Sequence, residues 1–89
     1  MARLEFMPAD IEAGSTHTGS VEALFQLGLM YSAGRGVPRD YVIAHKWFNI
    51  AALKGNKAAR RYRSELAEEM TKSEVAEAQR QAREWLTRH

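Results

Sequence analysis

Between Tyr31 and Asp40 the sequence reads YSAGRGVPRD, and glycines interleaved with arginines ahead of a helix start are the raw material of a phosphate-binding loop. Backbone N–H groups and the guanidinium groups of Arg35 and Arg39 would hold the anion. That chemistry needs more, because a phosphate loop follows a strand and in its Walker form closes on Gly-Lys-Ser/Thr. Neither is present. The other reactive side chains are scattered. His17, His45 and His89 lack the i, i+4 spacing of a ligand pair, and there is no cysteine to complete a zinc site, so no metal or cofactor is expected. His45 reads as a surface or half-buried, hydrogen-bonded imidazole. Asp40 and Glu22 are the acids bordering the apolar segments, and nothing pairs them with a nucleophile or a second carboxylate. No catalytic residue is assigned, and the chain does not read as an enzyme.

Arginine offers a second chemistry. Arg60, Arg61, Arg63, Arg80, Arg83 and Arg88 would form a basic stripe if the last two segments are helices, which is what a nucleic-acid-binding helical protein needs. Glu65 follows Arg61 by four residues and Glu84 follows Arg80 by four, however, while Glu68, Glu69, Glu74 and Glu77 lie on the same segments. A solvated, ion-paired face is the better reading. The net charge of +2, from 13 Lys and Arg against 11 Asp and Glu, also argues against a nucleic-acid surface.

The elements that must position these residues are helical. From Ser20 to Ala33, Leu24, Leu27, Gly28 and Tyr31 fall at i, i+3, i+4 and i+7, with Ser20 as the N-cap and Gly34 as the left-handed stop. Pro38 lies where it cannot extend that helix. Val37 is expected to tuck under the turn, and Asp40 to cap a second helix carrying Ala44, Trp47, Phe48, Ala51 and Ala52 up to Gly55. A third runs over about Lys57 to Met70 with Ala59, Tyr62 and Leu66 on one face. A fourth opens at Thr71-Lys72-Ser73-Glu74, a capping box, and presents Val75, Ala78, Ala82, Trp85 and Leu86. No segment alternates as a strand does. Short connections make consecutive helices antiparallel neighbours, so the fold expected is an all-α stack of helical hairpins. Residues 1–19, where Pro8 would open a short helix before the turn-rich GSTHTGS, read as an N-terminal arm.

At 89 residues the chain is one small domain, with no cysteine for disulfides and no apolar run long enough for a signal peptide or a membrane span. A cytoplasmic setting is expected. A shift of 36 places Gly19 on Gly55 and Ala23 on Ala59, and a shift of 38 places Ala44, Trp47 and Phe48 on Ala82, Trp85 and Leu86. In the second copy Arg63 and Ser64 stand where the first has Leu27 and Gly28, polar residues suited to the solvent-facing end of a stack.

The spaced set Ala23, Leu27, Gly28, Tyr31, Gly34, Gly36, Val37, Asp40, Ala44, Trp47, Ala51, Ala52, Gly55 and Ala59 resembles the Sel-one-like repeat family, relatives of the tetratricopeptide repeats. The helix beginning MTKSEVAEAQRQAREW is similar to the terminal helix of short bacterial proteins with this repeat. The resemblance implies a short α-solenoid that acts as an adaptor in protein complexes, with residues 20–56 as the intact repeat and residues 57–89 as a degenerate capping hairpin. One intact copy makes for a shorter groove than most such stacks have.

The first helix carries Phe25, Leu29 and Met30 beyond its core stripe, so it is apolar around most of its circumference and something must cover its second face. The first helix of each hairpin lines the concave side of such a stack. Phe25, Leu29 and Met30 are therefore the expected partner-binding residues, with Arg35 and Arg39 as a charged rim. The cover is either the arm's own Leu4, Phe6 and Met7, or another protein, or a second copy of the chain. The expected function is a protein-interaction module, with the nucleic-acid binder as the alternative.

Overall fold

The computed structural model describes residues 20–89, and the expected arm over residues 1–19, with His17, lies outside the described residues. Four helices follow one another: α1 (Val21–Ala33), α2 (Tyr41–Leu53), α3 (Lys57–Ala67) and α4 (Lys72–Arg88). Each begins on a side chain that accepts a backbone N–H left orphaned by the first turn. Ser20 Oγ takes the N–H of Ala23 at 3.0 Å, Asp40 Oδ1 that of Ile43 at 3.1 Å, and Asn56 Oδ1 that of Ala59 at 2.7 Å. At α4 the capping box is complete, Thr71 Oγ1 accepting from the Glu74 N–H and Glu74 Oε1 from the Thr71 N–H.

The glycine loop makes the first reversal. Gly34 adopts a φ of 73° and donates its N–H to the Met30 carbonyl, which also accepts from Arg35. The Asp40 N–H then reaches back to the Tyr31 carbonyl at 3.0 Å, so the residue that caps α2 is pinned to the last turn of α1. Val37 is half-buried in the turn, outside the side chains packed on the core. The third helix also stops three residues before Met70. After Ala67 the N–H groups of Glu68, Glu69 and Met70 bond to the third residue back instead of the fourth, which tightens the chain and ends the α-helical run.

Packing centres on α2, which lies against α1, α3 and α4. Ala44, His45, Trp47, Phe48, Ile50, Ala51 and Ala52 are all buried on it. The fourth helix rests mainly on α2 rather than on α3, which precedes it, and Trp85 on its buried face meets Trp47. Trp47 and Trp85, which share a place in the 38-residue offset, touch edge to face with centroids 5.4 Å apart. Small residues let the backbones approach. Ala44, Ala51, Ala59 and Ala78 are fully buried, and a Cβ added at Gly28 would lie 2.5 Å from Phe48 Cε1 and closer still to Cδ1. Phe48 therefore packs its ring on the bare backbone of α1.

The candidate protein-binding groove

Three aromatic rings tie α1, α2 and α3 together beside that contact. Phe25 lies 5.8 Å from Phe48 and meets Tyr62 edge-on at 5.3 Å, while Phe48 and Tyr62 are 5.5 Å apart. Next to this cluster, between α1 and α3, opens a cleft of about 210 Å³ lined by Ser32, Phe48, Tyr62, Glu65, Leu66 and Glu69. The lining follows from helical spacing. Tyr62, Glu65 and Leu66 stand at i, i+3 and i+4 on α3 with Glu69 in the turn that follows it, and Phe25, Leu29 and Ser32 stand at i, i+4 and i+7 on α1. Tyr62, Leu66 and Phe48 make an apolar floor, and Glu65 and Glu69 an exposed acidic rim. Ser32 donates its hydroxyl to the Leu29 carbonyl at 3.1 Å, so its oxygen is held within its own helix.

The residues expected to bind a partner divide. Phe25, Leu29 and Met30 are half-buried and packed against the core, and the ring of Tyr62 supplies part of the cover that the second face of α1 requires. Leu29 shares the face that leads to the cleft; Met30, one residue on, does not. Arg35 and Arg39 are exposed in the α1–α2 loop, with the Arg39 guanidinium 5.2 Å from the centre of the Tyr41 ring, and neither lines the cleft. The charge at the rim is acidic.

The repeat residues take structural places. Leu27, Ala44, Trp47, Ala51, Ala52 and Ala59 are buried, Ala23 and Tyr31 are half-buried against the core, and Gly34, Gly36 and Gly55 have positive φ. The six arginines are partly spent within the fold. Arg63 donates to Asn49 Oδ1 at 2.7 Å and so ties α3 to α2, contrary to the solvent-facing role expected of it. Arg61 pairs with Glu65 at 3.9 Å, and Arg80 reaches both Glu77 at 2.7 Å and Glu84 at 3.5 Å. The hydrogen bonds from Arg80, and after them that from Gln81, hold the Glu77 carboxyl down at about 2.

His45 departs from its expectation. It is 2% exposed, and its Nδ1 has no hydrogen-bond partner among the described residues. The cause is the position of α2, which is enclosed on three sides and buries polar residues together with apolar ones. Burial, and after it the nearby Arg63 charge, lowers the imidazole below its ordinary value. The terminal His89 stacks on the Trp85 indole with centroids 4.3 Å apart, a contact that residue spacing alone did not reveal. No described helix is long and apolar enough to cross a membrane.

The family model of the Sel1 repeat matches residues 21–56. This segment is a Sel1 repeat. The match opens on the first residue of α1, spans the glycine loop and α2, and closes on Asn56, the cap of α3. Sel1 repeats form a helical-hairpin solenoid fold, a non-catalytic scaffold that generally mediates protein–protein interaction. The cleft lies where the hairpin of the Sel1 repeat meets the helix that follows it, since Ser32 and Phe48 belong to the repeat and Tyr62, Glu65, Leu66 and Glu69 do not. No curated protein and no solved structure matches the chain.

Proposed function

We propose that this protein is a non-enzymatic cytoplasmic adaptor that holds a segment of another protein in the groove between α1 and α3. The observation that carries the reading is the cleft itself, an apolar floor of Phe48, Tyr62 and Leu66 left open beside the Phe25 and Leu29 face of a Sel1 repeat. Residues 57–89 act on this reading as a degenerate capping hairpin whose first helix completes the groove. The fold around the cleft is stiffened by the three-ring cluster, so a partner meets a formed surface and loses little to ordering it.

The test compares capture of partner proteins by the wild type with capture by the double variant Glu65→Lys, Glu69→Lys. Both positions are exposed, so the variant retains the fold. A prey lost in the variant and retained by a control variant on α4, Glu84→Lys, supports the groove. Equal recovery by all three proteins refutes it.

A further inference from the structure

The α1/α3 cleft combines an aromatic and aliphatic floor with two carboxylates, Glu65 on the last turn of α3 and Glu69 in the turn just beyond it. A cation between two like charges relieves their repulsion. The chain does not supply that cation well. Residues 20–89 carry 12 Lys and Arg against 8 Asp and Glu, so positive charge is in excess, yet Glu69 has no ion pair among the described residues. Glu65 has only Arg61, at 3.9 Å with both side chains 67% exposed. The same Arg61 guanidinium lies 5.4 Å from the centre of the Tyr62 ring, so an arginine already sits at the edge of this aromatic and acidic surface.

We infer that the cleft is a pocket for a single arginine side chain presented by a partner protein. Its methylene stem would lie on Tyr62 and Leu66, with the guanidinium between Glu65 and Glu69. The cleft is short and open to solvent, with a floor of three side chains, which is room for a side chain laid along it rather than for a helix. Arginine is favoured over a purely apolar anchor because its stem buries apolar surface while its planar fork meets carboxylates. Residues 1–19 offer one competing arginine, Arg3, in a segment made net acidic by Glu5, Asp10 and Glu12. The inference rests on the groove being a protein-binding surface and adds the chemistry of the residue it takes.

The experiment uses the full-length, isotope-labelled protein and three acetylated, amidated five-residue peptides of alanine, whose central residue is arginine, its neutral isostere citrulline, or leucine. The arginine peptide should move the amide resonances of Tyr62, Glu65, Leu66 and Glu69 and bind at least about fivefold more tightly than the citrulline peptide, an advantage that shrinks with added salt. Glu65→Gln, Glu69→Gln should abolish the preference without changing the spectrum of the free protein elsewhere. Arg61→Gln, which removes the internal competitor, should tighten arginine binding a few-fold. Equal binding of leucine or citrulline overturns the arginine pocket while leaving the groove as a protein-binding surface. Shifts confined to residues outside the cleft, or none at millimolar peptide, also overturn it.

Discussion

Replacing Gly28 with alanine sets two opposed terms against each other inside α1. Helix propensity favours the substitution by about 1 kcal/mol, because alanine loses less backbone freedom than glycine. Packing opposes it. The new Cβ would fall 2.5 Å from Phe48 Cε1 and closer still to Cδ1, separations that no relaxed carbon pair adopts. The ring cannot swing aside cheaply, for Phe48 is 1% exposed and is flanked by Phe25 and Tyr62. Overpacking of this kind costs about 1–3 kcal/mol, and with two ring carbons involved the upper part of that range applies. The net expectation is a loss of about 1–2 kcal/mol, or about 5–15 °C in Tm for a domain of this size. Thermal melts followed by circular dichroism read it directly. Phe48→Leu in the same background should restore part of the loss, a coupling that a double-mutant cycle isolates. A Gly28→Ala protein more stable than wild type would show that propensity wins and that the close approach of Phe48 to α1 is wrong.

Trp47→Ala should destabilise by about 3–5 kcal/mol in denaturant titration, since it empties a buried site and strands Trp85; a loss under about 1 kcal/mol would contradict the α2–α4 contact. Asp40→Ala should lose about 1 kcal/mol with the bond to the Ile43 N–H, and Asp40→Asn much less, measured the same way. Because His45 has a lowered folded-state pKa, the unfolded chain binds the extra proton first. Stability is therefore full above about 6.5 and falls as pH drops below it until the folded-state value is passed. His45→Phe should flatten that part of the stability–pH curve, and an unchanged slope would remove His45 as its source.

Helix starts were legible because each carries a side-chain acceptor, and the stops of α1 and α2 because a glycine follows each, whereas α3 ends without such a signal and stops earlier than its spacing suggests. Ser20, Asp40 and Thr71 cap where the sequence places them, and Gly34 and Gly55 end helices with positive φ. The core was legible from the spacing of small and large apolar residues, down to the offset that brings Trp47 and Trp85 together. Less legible was which helix sits at the centre. Hydrogen-bond and periodicity signals are local, whereas the burial of Ile50 and His45 depends on three neighbours at once. One signal was available: YVIAHKWFNIAAL holds a single Lys and no acid, which is too apolar all round for a surface helix. The groove was half visible. Phe25 and Leu29 announce an apolar face on α1, but Glu65 joins it only through the register of α3 and Glu69 through the turn after it, and in sequence both read as ordinary solvated charge.

The most direct test of the groove is site-resolved photo-crosslinking in cells. A photoreactive residue at position 32 or 69, both lining the cleft, is compared with one at position 83 on the exposed face of α4. Discrete partner adducts are expected from positions 32 and 69 and none from position 83. Adducts of equal yield from all three, or from position 83 alone, would place the binding surface elsewhere.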